Sequence, residues 1–418
     1  MSNDTLVGCN LNNTYPTYQA MLRVYGNAPV IVGGLVANLV NMVIFRHSCM
    51  RTSMLNWFLL ALAICDQMVL LCTFLMLSLP VITEQWGNLA WMELSAYVTR
   101  WTYPVGQVSQ TCSVYLTIMV SLYRYLGVCH PFRAQRWFTS ATVKTAIGGT
   151  VVFSLALNTS RWFELTMVDC YSELFNVTSV LMRPTFLLEN HTYAKWYFVY
   201  GYTVSMFVVP FVILIVANTF ISISVHKSRN LRRRMTQETL RLSAPRGSDT
   251  STNRPTMTMG NNNNNNNNTQ PNGRRKSEMG LVTNKELNTS IMLLAIVILF
   301  LVCNSLAFIN NILFLQESDV TNHYAFTILV EIGNILVTFN SAANFFIYVL
   351  FSSKYRSLLR VYIAQASSMS NEEIQMLYLQ STMYTGRSMS LVSQKNSNYI
   401  SRSIYRQQQK RASVVQFK

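Results

Sequence analysis

The sequence predicts an all-α membrane protein: a seven-transmembrane helix bundle with a short amphipathic eighth helix. Three observations carry that reading. Half of the 418 residues are hydrophobic and only 12% are charged, against about 25% charged in a typical soluble domain. Apolar stretches long enough to cross a bilayer, about 20 residues each, recur seven times. The basic residues gather on alternate connecting segments. That balance, with a mean hydropathy of +0.22, excludes a disordered chain and argues against a water-soluble globule. The eight cysteines lie without CxxC pairs or His/Cys clusters, which argues against a zinc module or a dense disulfide scaffold. The net charge of +16 falls on one side of the membrane, so no nucleic-acid partner is expected.

In chain order the spans read Ala28–Phe45, Leu55–Leu79, Tyr97–Val128, Val143–Phe163, Trp196–Val225, Ile291–Leu315 and Tyr324–Phe351. The fourth is interrupted by Gly148, Gly149, Asn158 and Thr159. Residues 1–27 form an extracellular tail without a basic start or an apolar stretch, so no signal peptide is expected. Residues 28–351 form the bundle. Within it, residues 227–289 form a long, largely disordered third cytoplasmic loop that carries Arg232-Arg233-Arg234 and eight consecutive asparagines, Asn261–Asn268. An amphipathic helix over 353–363 precedes a disordered, Ser-rich cytoplasmic tail, 364–418.

Orientation follows from charge. With the N-terminus outside, the external segments and outer helix ends hold only Arg23, Arg100, Arg161, Arg183 and Lys195 of the 33 lysines and arginines. Nine acids lie on that side, among them Glu84, Glu93, Glu164, Asp169 and Glu331's neighbour in chain order, Asp319. The glycosylation acceptors Asn3, Asn12, Asn176 and Asn190 all fall outside. The chain is therefore expected in the plasma membrane, among its lipids, with its N-terminus outside.

Polar groups inside a bilayer are costly and mark function or helix–helix contact. Asp66 sits in the middle of the second span, Asn38 in the first, Ser113 in the third, and Asn340, Ser341 and Asn344 in the seventh. Asp66, Ser113, Asn340 and Asn344 supply hard oxygen ligands for a small cation such as sodium. The same groups also fit a closed hydrogen-bonded cluster that glues helices together. No other cofactor is expected.

These residues resemble the rhodopsin-like (class A) G-protein-coupled receptors. Ala37-Asn38, Leu62-Ala63-x-x-Asp66, Tyr123-Arg124-Tyr125, Pro210, Phe300-x-x-Cys303 and Asn340-Ser341-x-x-Asn344-Phe345-x-x-Tyr348 look like that family's motifs, in order. A finer resemblance is to invertebrate FMRFamide-type neuropeptide receptors, through Ser53–Trp57, Gln110–Thr117, Arg161–Leu165 and Asn344–Tyr348. The resemblance implies a cell-surface receptor for an amidated, FMRFamide-like neuropeptide. It implies signalling through heterotrimeric G proteins, with arrestin and receptor kinases as further partners. It assigns activation and coupling to Arg124, Glu286, Asn38, Phe300, Asn344 and Tyr348.

The sequence also departs from the family. Tyr123 replaces the acid before the arginine, Asn304 and Leu306 replace the sixth-helix tryptophan and proline, and Phe345 replaces the seventh-helix proline. Without the missing local acid, Glu286 is expected to restrain Arg124 at rest. Thr99 stands near the usual third-helix cysteine, which leaves Cys9–Cys170 as the obvious external disulfide.

The ligand is expected between Glu331, Arg100, Tyr103, Gln107, Trp162, Trp196, Tyr200 and Asn311. A carboxylate at Glu331 suits the arginine of an Arg-Phe-amide peptide. Each aromatic among them also reads as helix packing or as an interfacial belt, the commoner cases. Gly106, in place of the amine receptors' aspartate, and Thr338, near the retinal-attachment lysine, disfavour those ligand classes. A chemosensory receptor for a non-peptide ligand, and a multi-span transporter, are the competing readings. No internal duplication supports the transporter. No nucleophile–base pair or phosphate loop supports an enzyme.

Overall fold

The computed structural model describes residues 7–8, 14–173, 175–243, 272–315 and 323–367. Cys9, Asn3, Asn12, the core of the third cytoplasmic loop over 244–271 and the tail beyond 367 lie outside the described residues. Among the described residues, seven helices are long and apolar enough to cross a membrane, as the apolar runs predict. We number the longer helices α1 Thr17–Arg46, α2 Met54–Trp86, α3 Leu89–Cys129, α4 Ser140–Leu157, α5 Val209–Ser243, α6 Asn272–Leu315, α7 His323–Phe351 and α8 Ser353–Ala366. The chain is a multi-pass membrane protein.

Several helix boundaries differ from expectation. The first helix starts at Thr17, so the last eleven residues of the expected tail are helical. Its first turns are polar, Thr17, Gln19 and Arg23, and read as tail because no apolar run marks them. The third helix starts at Leu89 because Asn88 caps it, its Oδ1 accepting from the Ala90 and Trp91 amides at 3.1 and 3.4 Å. The fourth stops at Leu157 and continues as one 3₁₀ stretch, Thr159–Phe163. Helical residues also continue to Ser243 and resume at Asn272, which shortens the expected loop from both ends.

Among the described residues π-helical turns occur at Leu22–Asn27 in the first half of α1, Phe74–Ser78 in the second half of α2, and Ala194–Gly201 and Val204–Val208 before α5. Two of them meet: the Ser78 hydroxyl donates to the Arg23 carbonyl at 3.0 Å. α3 packs against α2, α4 and α5, while α1 packs between α2 and α7. α1 and α7 approach closely at Gly34, where a Cβ would fall 2.6 Å from the Ala342 Cβ and 2.8 Å from Leu70 Cδ1. An aromatic cluster of Phe207, Phe211, Phe300 and Phe308 joins α5 to α6.

Between α4 and α5 the chain forms a β-hairpin that the sequence reading did not anticipate. β1 Val7–Gly8 runs parallel to β2 Leu165–Ser172, which pairs antiparallel with β3 Val177–Pro184. Asn176 takes φ +52° at the hairpin turn, a conformation asparagine tolerates. α8, considered by itself, buries Tyr355, Leu358, Val361 and Ala364 along one face, the three-to-four-residue stripe of an amphipathic helix. It runs past the expected end at residue 363.

Candidate functional site: a polar core and a cavity at the hairpin end

Asp66 is fully buried. Ser113 Oγ donates to its Oδ1 at 2.6 Å, and Asn344 Nδ2 donates to its Oδ2 at 2.8 Å. Three expected side chains from α2, α3 and α7 thus meet; Asn340 is half-buried and makes no hydrogen bond to the carboxylate. Asn38 Nδ2 donates to the Ser341 carbonyl at 2.9 Å and so ties α1 to α7. All partners of Asp66 are neutral, and neither ion pair among the described residues involves it.

Toward the hairpin, a cavity of about 440 Å³ opens between α2, α3, α6 and α7. Tyr103, Gln107 and Asn311 line it, as expected, together with Gln110, Arg161, Tyr202, Phe207, Phe326 and Asn334. Arg161 and Glu164 are a buried pair, 3.2 Å apart and 2% and 0% exposed. The Tyr103 hydroxyl donates to Glu164 Oε2 at 2.7 Å and accepts from Arg161 Nη1 at 2.8 Å. The Tyr193 hydroxyl donates to Glu164 Oε1 at 2.7 Å. Burial, and beyond it the hydrogen bond to and charge of Glu164, push Tyr193 above the usual phenol range. The rings of Tyr103, Tyr197 and Tyr202 surround the Arg161 guanidinium at 5.9, 5.7 and 5.1 Å. Sequence reasoning placed Arg161 among the exterior bases; its one visible signal was a glutamate three positions on.

Five expected ligand residues are placed elsewhere. Glu331 is buried and does not line the cavity; its Oε1 accepts from Arg23 Nε and Nη2 at 2.9 and 2.7 Å and from Gln19 Nε2 at 2.7 Å. The cation that suits this carboxylate is therefore the chain's own, supplied by helical turns that had been read as tail. Arg100 donates through Nε to the Leu165 carbonyl at 3.2 Å and lies over Trp101, anchoring the hairpin base. Trp162, Trp196 and Tyr200 are exposed and pack on other surface aromatics, Trp162 on Trp101 and Trp196 on Tyr200. That is the interfacial-belt arrangement.

At the opposite end of α3, Arg124 is half-buried. Tyr123, where the family has an acid, stacks on Phe138 at 4.5 Å and faces Phe58 at 6.1 Å. Glu286 belongs to α6, but its side chain is outside the described ones. Tyr348 is buried edge-on against Phe45 at 5.1 Å. Phe300 sits in the α5–α6 aromatic cluster, and Asn304 Nδ2 donates to its carbonyl at 2.8 Å. Asn218 donates to the Leu214 carbonyl and to Ser121 Oγ. Cys170 is disulfide-bonded, while Cys49, Cys65, Cys72, Cys112, Cys129 and Cys303 form no disulfide; the expected partner, Cys9, is outside the described residues. Asn176 and Asn190 are exposed, and Asn158, in a similar triplet, is buried and bonded to Thr111.

Comparison with known proteins extends this geometry. The chain is 27% identical over 332 residues to the FMRFamide receptor of Drosophila melanogaster, covering 78% of this chain and 51% of that protein. It is 27% identical over 346 residues to the FMRFamide peptide receptor frpr-18 of Caenorhabditis elegans, covering 79% and 66%. A shorter stretch of 126 residues, 30% of this chain and 33% of the relative, is 31% identical to the somatostatin receptor type 5 of Rattus norvegicus. The chain spans about half the length of the Drosophila relative and about two-thirds that of frpr-18. A family model described as the 7 transmembrane receptor (rhodopsin family) matches residues 37–348. That match runs from the first-helix motif to Tyr348, through the polar core and both walls of the cavity: the chain belongs to the rhodopsin family of seven-transmembrane receptors.

Proposed function

We propose that the chain is a cell-surface receptor for an amidated, FMRFamide-like neuropeptide and signals through heterotrimeric G proteins by ligand-driven helix rearrangement. The observation that carries the reading is the open, aromatic and amide-lined cavity at the hairpin end, in a chain related over most of its length to FMRFamide receptors. The receptor lies in the plasma membrane with the hairpin and N-terminus outside, Cys170 bonded to Cys9, and glycans on Asn176 and Asn190 and on the tail sites Asn3 and Asn12.

Peptide in the cavity favours one of two pre-existing conformers by its differential affinity. The side chains able to report the change are those that tie helices together: Asp66 with Ser113 and Asn344, Asn38 with Ser341, and the Phe211–Phe300 contact. At the cytoplasmic end Arg124, released from Glu286, meets the G protein. Arrestin and receptor kinases then act on the same face.

A buried carboxylate whose partners are all neutral fits a small hard cation. Asp66 and the Ser113 oxygen would hold sodium there, and the ion would neutralise the carboxylate. The test of the whole reading is a panel of amidated peptides applied to cells that express the full chain. Agonist-dependent nucleotide exchange on a G protein is expected for an Arg-Phe-amide peptide. Exchange driven only by another ligand class overturns the ligand assignment, and the absence of exchange with transport of a solute overturns the receptor.

A further inference from the structure

We infer that the cavity takes the neutral carboxamide terminus of the peptide, held by side-chain amides of α3, α6 and α7, and leaves the peptide's guanidinium at the mouth. This rests on the peptide-receptor reading above. Charge is the first argument. Arg161 is the charged group among the described lining residues. Its carboxylate partner, Glu164, is fully buried behind it. Glu331, the acid expected to receive a guanidinium, does not line the cavity and is held by Arg23 and Gln19. A peptide arginine inside would meet a like charge and lose its water with no carboxylate in return, a heavy desolvation cost.

Hydrogen-bonding capacity is the second argument. The side-chain amides of Gln110, Asn311 and Asn334 line the cavity and reach no partner among the described residues, and Gln107 uses only its Oε1, which accepts from Tyr202 at 3.4 Å. Such a wall offers donors and acceptors in equal measure. A terminal carboxamide brings two N–H donors and a carbonyl acceptor and can use both. A free carboxylate can only accept, and it would sit close to the Arg161–Glu164 pair, where Arg161 already has its counter-charge. Phe207, Phe326 and Val330 leave apolar wall for the neighbouring phenyl ring. A cavity of about 440 Å³ lies toward the small end of ligand clefts, ~300–1,000 Å³, so the rest of the peptide stays outside. There the exposed acids Asp169, Glu173 and Glu189 carry the charge complementary to its arginine.

The experiment compares three probes on the full chain in cell membranes: Phe-Met-Arg-Phe-amide, its free acid and its N,N-dimethylamide. Potency is read for the unmodified receptor, Gln110→Leu and Asn334→Leu, each normalised to its surface count. The amide should exceed both analogues by at least about tenfold, the scale of one or two hydrogen bonds. Each substitution should shrink that ratio, which a merely structural defect would not change. Should a leucine variant fail to reach the surface, Gln110→Ser or Asn334→Ser replaces it. Equal potency of the free acid, or ratios unchanged in both variants, overturns the inference while leaving the receptor reading intact. An unmodified receptor silent to every amidated peptide overturns the peptide-ligand reading, and the inference with it.

Discussion

Arg161 and Glu164 are almost wholly withdrawn from solvent, so each depends on the other for its charge. Removing one partner strands the other, and a stranded buried charge costs about 3–5 kcal/mol. Glu164→Ala is therefore expected to lower the unfolding temperature in detergent sharply, whereas the double variant Arg161→Met/Glu164→Leu loses less than either single change. A double variant worse than both would show that the pair is a net stabiliser. Tyr103→Phe removes one donor to Glu164 and one acceptor from Arg161. Its expected loss is about 1.5–3 kcal/mol, the scale of hydrogen bonds to charged groups, and the same thermal measurement checks it. The Asp66 centre was legible in the sequence because one acid amid an apolar run is a signal that needs no partner to be seen. The Glu331–Arg23 pair was not, since its two members are 308 positions apart and one sat in a segment without an apolar pattern. Arg161 escaped notice for the same reason: its cage of tyrosines comes from α3 and from the helical run that enters α5, both distant in sequence.

Helix identity was read correctly at the scale of elements because lipid demands long apolar runs, whereas helix ends answer to capping and tertiary contacts that leave little trace in hydropathy. Asn88 and the Arg23–Ser78 contact illustrate both cases. The β-hairpin was missed because its strands, Leu165–Ser172 and Val177–Pro184, alternate only partly and lie in a loop whose fold depends on α3 beneath it. Adjacent glycines in α1 test the packing directly. A Cβ at Gly33 meets nothing within 4 Å, while one at Gly34 collides with Ala342 and Leu70. Gly33→Ala should raise thermal stability by up to about 1 kcal/mol through helix propensity. Gly34→Ala should lower it by about 1–3 kcal/mol, because an overpacked contact forces α1 away from α7. Equal effects of the two would mean that α1 does not pack on α7 through this glycine. Polar contact ties the same pair: Asn38 accepts from Asn41 within α1 and donates to the Ser341 carbonyl of α7, so movement of α1 against α7 must break the Asn38–Ser341 bond.

At the scale of the whole molecule, the charge asymmetry and the glycosylation triplets lead to one expected orientation, which glycan mapping can test. The hairpin end carries Asn176 and Asn190, both exposed. Asn190 holds the Thr192 and Tyr193 amides at 2.9 and 3.1 Å through its Oδ1, which leaves its Nδ2 open. Asn158, in the triplet Asn158-Thr159-Ser160, donates inside the bundle to Thr111 Oγ1 and to the Ser154 carbonyl at 2.9 and 2.8 Å. No glycan reaches a side chain so enclosed. Of the remaining triplets, Asn267 lies in the connection between α5 and α6 and Asn288 in the first half of α6, on the side where basic residues accumulate. A hairpin end outside the cell therefore exposes Asn176 and Asn190 to the glycosylation machinery and hides Asn267 and Asn288 from it. Endoglycosidase treatment of receptor from secretory cells should increase its gel mobility. That shift should shrink with Asn176→Gln and again with Asn190→Gln, and stay unchanged with Asn267→Gln or Asn288→Gln. A shift that depends on Asn267 or Asn288 would invert the bundle, placing the cavity in the cytoplasm and Arg124 outside, where no peptide ligand and G protein could occupy the ends assigned to them.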